Sequence, residues 1–451
     1  MMTISGGQGS AERSTAATAS TALLTDHYEL TMLQAALRSG AANRRSVFEV
    51  FARRLPDGRR YGVVAGTGRL LDAIATFRFG DEQLAFLERT GVVDRVTLDW
   101  LAEYRFRGTV RGYAEGEAYF PQSPILEVEG TFAEAVLLET LILSVLNHDS
   151  AIAAAASRMT SAAAGRPCIE MGSRRTHEEA AVASARAAYL AGFASTSNLE
   201  AGFRYGVPTV GTSAHAFTLV HDTEREAFQT QVDTLGKGTT LLVDTFDVTE
   251  AVRVAVEVAG PDLGAVRLDS GDLLWMAHRV RRQLDELGAR NTKIVVTSDL
   301  DEYAIAALAV APVDAYGVGT QLVTGSGAPT ASMVYKLVAR AESEEPDGAL
   351  VPVAKRSPDK PSQGGRKYAY RRIDEDGVAT AEVIGVGEAP ADLHDRGRSL
   401  IRTLMVNGEP VDRQTLADGR ELHRRALAEL PISATQLSRG DAVIPSFYEN
   451  A

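Results

Sequence analysis

A single cysteine, Cys168, stands among the 451 residues of this chain. One thiol cannot form an internal disulfide, and it excludes metal sites built from several thiolates. It fits a reducing cytoplasm, where the chain is expected to work. Cations are also in deficit, with 47 Lys and Arg against 59 Asp and Glu and a formal charge of −12. That balance argues against nucleic acid or an anionic membrane as the main partner. An anionic ligand must then be held by a local cluster of Arg and Lys. Met1 to Ser20 has no apolar core, so it reads as a disordered tail, neither signal peptide nor anchor. The apolar stretch from Ala135 to Ala156 is interrupted by Glu139, Asn147, His148 and Asp149, and charge at bilayer depth is costly. It is expected to be a buried or dimer-facing helix.

Hydrophobic content of 45% and charged content of 24% are those of an ordinary globular protein. The length exceeds one comfortable core and favours two domains, or a barrel with additions. An N-terminal α+β unit is expected over 21–130, an α/β barrel over 131–345, and a C-terminal segment over 346–451 that packs on the first. Strands are expected at Cys168 to Met171, Thr209 to Thr212, Thr240 to Val243, Ala265 to Leu268, Lys293 to Val296 and Ala315 to Val318. Met333 to Arg340 is a candidate seventh. Helical patterns separate most of them: His177 to Leu190, Glu224 to Leu235, Val248 to Val258, Leu273 to Leu287 and Asp301 to Val310. Alternating strands and helices imply a parallel sheet. No Gly-x-Gly-x-x-Gly follows the first strand, so the fold class is α/β with an irregular, TIM-like barrel rather than a dinucleotide-binding sheet.

Polar residues then gather at one kind of place. Arg174 and Arg175, Thr212 and His215, Asp244 and Asp247, Arg267 and Asp269, Ser298 and Asp299, and Gly317 to Thr320 all lie at or beyond strand ends. In a barrel these positions converge on the face that carries active sites. Val266 to Asp272 delivers one guanidinium and two carboxylates into a Ser-Gly turn before a helix. Asp272, Asp299 and Asp301 also suit helix capping, whereas capping does not account for Arg267, His215 or the arginine pair. A basic run from Lys355 to Lys367 has the composition either of a phosphate-closing loop or of a solvated turn.

Together these pieces resemble nicotinate phosphoribosyltransferase from about Leu24 to Arg371. The resemblance rests on Thr25 to Met32, Leu138-Glu139-Thr140, Gly172 to Arg175, Thr196-Ser197-Asn198, Gly211 to His215, Val243 to Asp247, Val266 to Asp272, Tyr316 to Thr320 and the basic loop. It implies a small α+β domain joined to an irregular α/β barrel, and a homodimer with active sites at the subunit interface. It also implies nicotinate and 5-phosphoribosyl 1-pyrophosphate as substrates, ATP as co-substrate and Mg²⁺ as cofactor. By that resemblance His215 is the histidine phosphorylated by ATP, and Asp244 and Asp269 sit near the ribose and the magnesium. Arg267, Thr212 and Ser197 face the nicotinate carboxylate, Met171 lies against one face of the ring, and Tyr28 reaches a neighbouring site. Arg174, Gly317, Gly319, Thr320, Lys360, Arg366 and Lys367 are the implied phosphate ligands.

Three departures stand out. Met171 replaces a frequent Phe, Gly364 replaces Pro in the basic loop, and Ala155 replaces a frequent Lys near Arg158. The related nicotinamide enzyme has an aspartate where this chain has Ser197. A carboxylate there repels nicotinate, whereas a hydroxyl donates to it. The competing readings are the nicotinamide enzyme and a catalytically silent nucleotide-binding relative. A quinolinate enzyme would need more cations near the ring.

Overall fold

A computed structural model describes residues 20–343, 348–355, 362–390 and 397–449. The expected tail, apart from Ser20, and Lys360 of the basic run lie outside the described residues. Two large hydrophobic cores organise the rest, and one helix belongs to both. Glu139–Ala162 runs for 24 residues, about 36 Å at the α-helical rise. Its first half gives Leu141, Ile142, Val145 and Leu146 to one core, while Ile152, Ala153, Ala156 and Met159 enter the other. With the short helix before it, this is the apolar, membrane-length segment of the chain among the described residues, Phe132–Ala162, and it is mostly buried in protein. Alanines let neighbouring elements approach closely. Arg158 and Arg59 both donate to the buried Glu302, at 3.0 and 2.8 Å.

The second core is built on a six-stranded parallel sheet. Its order is Ser195–Thr196, Cys168–Glu170, Ala315–Val318, Lys293–Ser298, Ala265–Leu268 and Thr240–Leu242. Burial on both faces explains why these strands read as continuous apolar runs. Thr209 adds a single bridge to Thr196. Among the described residues no ladder pairs Thr209 to Thr212 with Thr240–Leu242, so the sheet is a half-barrel with one open seam. Helices cover it in the expected rhythm. Val248–Ala259, for example, buries Ala251, Val252, Ala255 and Ala259, starts on an Asp247 cap at 2.9 Å and stops at Gly260.

The first core lies on a seven-stranded sheet in which Arg45–Ala52 is flanked by Met333–Ala341 and Leu126–Thr131. Met333–Ala341 is therefore not a seventh parallel strand. It runs antiparallel to Arg45–Ala52, with Tyr335 opposite Val50, and its side-chain pattern alone could not name its partner. Ile401–Val406 returns to pair with Thr109–Tyr113 in the same sheet. The helix His27–Ser39 starts without a side-chain cap from Asp26. Glu29 turns inward instead and accepts from the Thr140 hydroxyl and amide, at 2.6 and 3.0 Å.

Candidate active site

Thr240–Leu242 and Ala265–Leu268 are neighbours with Leu242 opposite Arg267, so the residues just beyond them meet. Asp244 Oδ2 accepts the Asp269 amide at 2.9 Å and the Ser270 hydroxyl at 2.7 Å. Its side chain is 2% exposed, yet Oδ1 is buried without a hydrogen-bond partner. A buried acceptor left open in this way is expensive unless something binds it. His215 opens a short helix, His215–Leu219, and its Nε2 stands 4.0 Å from both Asp244 Oδ1 and Asp269 Oδ2. Its Nδ1 is 3.1 Å from the Thr245 hydroxyl.

Arg267 is mostly buried and held by three contacts. Nε donates to Thr297 Oγ1 at 3.0 Å, and two 3.3 Å contacts tie the fork to the Ser213 carbonyl and Asp269 Oδ1. Asp269 also accepts from the Thr297 hydroxyl. Burial pushes the Asp269 carboxyl up, but Thr297 and Arg267 outweigh it and hold the group below the ordinary value. Glu170, at the end of Cys168–Glu170, is fully buried and accepts the Gly172 amide and the Thr196 hydroxyl, which fixes the turn carrying the arginine pair.

Two adjoining cavities share Met171, Arg174, Arg267 and Asp269. The first, ≈ 230 Å³, is polar and lined by Arg174, Arg175, Ser298, Asp299, Gly317, Gly319 and Thr320. Neither Arg174 nor Arg175 has an ion-pair partner among the described residues, so both cations are available to an anion. A side chain at Gly317 would place its Cβ 2.3 Å from the Thr297 methyl and 2.8 Å from Met171 Sδ, which is why only glycine fits there. The second cavity, ≈ 460 Å³, is lined by the apolar Ile169, Val210 and Val295 and by the polar Ser197, Thr212 and His215. A flat, apolar, singly anionic molecule and a polyanion could thus meet across Arg267 and Asp269.

Most residues singled out in the sequence converge here: Met171, Arg174, Ser197, Thr212, His215, Asp244, Arg267, Asp269, Gly317, Gly319 and Thr320. Three do not. Tyr28 is half-exposed on the first helix, away from both cavities. Its phenol is pushed up to about 12 by burial and by Glu139, Glu29 and Asp26. Arg366 pairs with Glu129. Lys367 is buried in the antiparallel core, where its ammonium donates to Glu49 at 2.6 Å and to the Gln363 carbonyl at 2.9 Å. The expected phosphate role of Lys367 is corrected accordingly, because its donors are spent inside the protein. Asp272 and Asp301 are helix caps, accepting from the Trp275 and Ala304 amides at 3.1 and 2.7 Å, whereas Asp299 lines the polar cavity.

A model described as the nicotinate phosphoribosyltransferase (NAPRTase) N-terminal domain matches residues 23–147. Nicotinate phosphoribosyltransferase pncB1 of Mycobacterium tuberculosis (strain ATCC 25618 / H37Rv) is 58% identical over 432 residues, covering 94% of each chain. The chain belongs to the nicotinate phosphoribosyltransferase family. It is an enzyme of that type. The Bacillus subtilis (strain 168) nicotinate phosphoribosyltransferase is 37% identical over 367 residues, 79% of this chain and 74% of its own. The crystal structure of human nicotinic acid phosphoribosyltransferase matches with a TM-score of 0.80 at 25% identity, covering 94% of this chain and 98% of that one.

Within this nicotinate phosphoribosyltransferase fold, sequence reasoning missed Thr297 and gave Ser213 and Ser270, present only within motifs, no role of their own. Thr297 was hidden because the expected strand stops at Val296, two residues before its observed end at Ser298. Alternation from Val295, which faces the apolar cavity, would have pointed to it.

Proposed function

We propose that the protein joins nicotinate to 5-phosphoribosyl 1-pyrophosphate, forming nicotinate mononucleotide and pyrophosphate, with ATP hydrolysis coupled through a phosphohistidine at His215. The observation that carries this reading is Arg267, standing between an apolar cavity and the carboxylate pair. A planar guanidinium suits a ring carboxylate, and the Ser197 and Thr212 hydroxyls that line the same cavity can donate to it. Met171 offers the ring a sulfur contact. The pyridine nitrogen lone pair forms the new bond to the anomeric carbon as the carbon–oxygen bond to pyrophosphate breaks, and the leaving group takes that electron pair.

Positive charge develops on the ribose in this step, as in other glycosyl transfers. Asp244 and Asp269 are positioned to oppose it. Arg174, with the backbone at Gly317, Gly319 and Thr320, is the proposed cradle for the phosphates. Among the described residues no three His, Cys, Asp or Glu side chains converge on a metal site. Two carboxylates with substrate oxygens and water are nevertheless the usual setting for Mg²⁺, and the open Oδ1 of Asp244 fits that role. Asp244 and Asp269 would hold the ion, which supplies charge neutralisation to the departing pyrophosphate.

In the tautomer in which Nδ1 of His215 donates to Thr245, the lone pair lies on Nε2, the proposed acceptor of the ATP γ-phosphoryl group. We take the active form to be a homodimer in which Tyr28 reaches the neighbouring active site. Exposure of Leu24, Tyr28 and Met32 on one surface supports this. The half-barrel is read as the core of an irregular barrel, and the unit boundaries as 21–130, 131–345 and 346–451. The compartment is read as the cytoplasm, in support of NAD salvage.

Purified protein given nicotinate, 5-phosphoribosyl 1-pyrophosphate, Mg²⁺ and ATP is expected to release nicotinate mononucleotide, and absence of product would end this reading. Acid-labile ³²P from γ-labelled ATP is expected on the wild type and not on His215→Ala. In competition the acid should outpace the amide, with Ser197→Asp shifting preference towards the amide.

A further inference from the structure

Thr297 is 3% exposed and sits between the two charged groups that the reaction needs. Its hydroxyl accepts Nε–H of Arg267 at 3.0 Å and donates to Asp269 Oδ1. The direction of this relay is fixed by chemistry, since a guanidinium only donates and a carboxylate anion only accepts. The methyl group is seated against Gly317, where any Cβ would lie 2.3 Å away. The methyl therefore packs against Gly317 while the hydroxyl faces the two charged groups.

The remaining contacts of Arg267 are weaker. Its two terminal nitrogens reach the Ser213 carbonyl and Asp269 Oδ1, each at 3.3 Å, beyond the usual hydrogen-bond range. Those two nitrogens form the end-on fork that a ligand carboxylate takes as a pair. Turning the fork to a ligand releases Asp269 from its ion pair, and the Thr297 hydroxyl is then what still orients both groups.

We propose that Thr297 is a positioning residue that couples the two substrates. It holds Arg267 by Nε while the fork passes to the nicotinate carboxylate, and it holds Asp269 in place for the ribose–pyrophosphate end. This rests on the reading of Arg267 as the nicotinate partner. Because binding free energies are reciprocal, nicotinate tightens 5-phosphoribosyl 1-pyrophosphate binding through this residue, and the converse holds.

Thr297→Val removes the hydroxyl at nearly constant volume, and Thr297→Ser keeps it. A hydrogen bond to a charged group is worth roughly tenfold or more. The valine variant is expected to raise KM for nicotinate and lower kcat, each by about tenfold, with the serine variant within about threefold of wild type. Calorimetric titration with 5-phosphoribosyl 1-pyrophosphate is expected to show tighter binding with nicotinate present in wild type and serine enzymes, and no such gain in the valine enzyme. Wild-type kinetics in the valine variant would overturn the proposal. So would a serine variant as damaged as the valine one, or a raised KM with kcat and the binding gain intact. If Thr297→Val does not fold, the same titration on Thr297→Ala decides. Failure of wild type to form nicotinate mononucleotide is a separate result, and sinks the underlying reading.

Discussion

Arg267 has to bind one carboxylate while another, Asp269, already stands 3.3 Å away. Flat geometry resolves the conflict, because the guanidinium offers five donors in fixed directions: Nε stays on Thr297 while the two terminal nitrogens turn from Asp269 to the ligand. An ammonium keeps the charge and loses the directions. Arg267→Lys is therefore expected to raise KM for nicotinate by roughly tenfold to a hundredfold, with an unchanged thermal midpoint. Equal KM in the two proteins would refute the carboxylate assignment. Arg267, Asp269 and Asp244 were legible in the sequence because they lie in or just beyond short apolar runs that form buried strands, whereas His215 was legible from its Gly-Thr-Ser-Ala-His motif, since Thr209 to Thr212 forms only a single bridge. Thr297 was not, since a threonine at a strand end resembles any β-former until its two charged neighbours are seen in space.

The turn from Asp269 to Asp272 divides its labour between site and scaffold. Asp269 faces the cavity, while Asp272 accepts the Trp275 amide and starts the helix Leu273–Glu286. Losing such a cap costs about 1 kcal/mol. Asp272→Ala should show that loss in urea denaturation, with KM for nicotinate within about twofold of wild type. A large kinetic effect without loss of stability would move Asp272 into the site. Helices were the most readable parts of the chain: Glu224–Leu235 starts and ends where its caps and apolar spacing indicate. Short strands were the least readable. Ser195–Thr196 has two residues and no pattern to detect, and it took the ladder position expected of Thr209 to Thr212. Met333–Ala341 was recognised as a strand but assigned to the wrong sheet, since alternation names a face and not a partner.

Buried ionisable groups tie distant segments together and make stability depend on pH. His423, on the helix Leu416–Glu429, is buried with neither ring nitrogen hydrogen-bonded. Burial lowers it to about 4, and Arg420 acts in the same direction against the opposing pulls of the Gly116 backbone and Glu117. Its folded value lies below the unfolded one, so its full contribution is present above about pH 6.5. As pH falls towards 4, the unfolded chain takes up a proton that the folded protein refuses. Stability declines by at most about 1.4 kcal/mol per unit from this group. Urea midpoints between pH 4 and 7 should slope less in His423→Leu than in wild type, and parallel curves would rule the histidine out as the cause. Glu49 runs the other way. Burial pushes it up to about 7 against Lys367, so its carboxylate is costly to keep. Composition could not reveal this pair, because Lys367 looks like the end of a basic loop until the fold encloses it.

The helix Glu139–Ala162 supplies side chains to both cores along one unbroken hydrogen-bond ladder. Neither half of the protein can melt without stripping packing from a rod it shares with the other. Native-state hydrogen exchange should therefore find the amides near Leu146 and those near Met159 opening together, with the same denaturant dependence, as one cooperative unit. A substrate that steadies the parallel sheet would then slow exchange in the distant antiparallel core, so that ligand binding is felt where no ligand reaches.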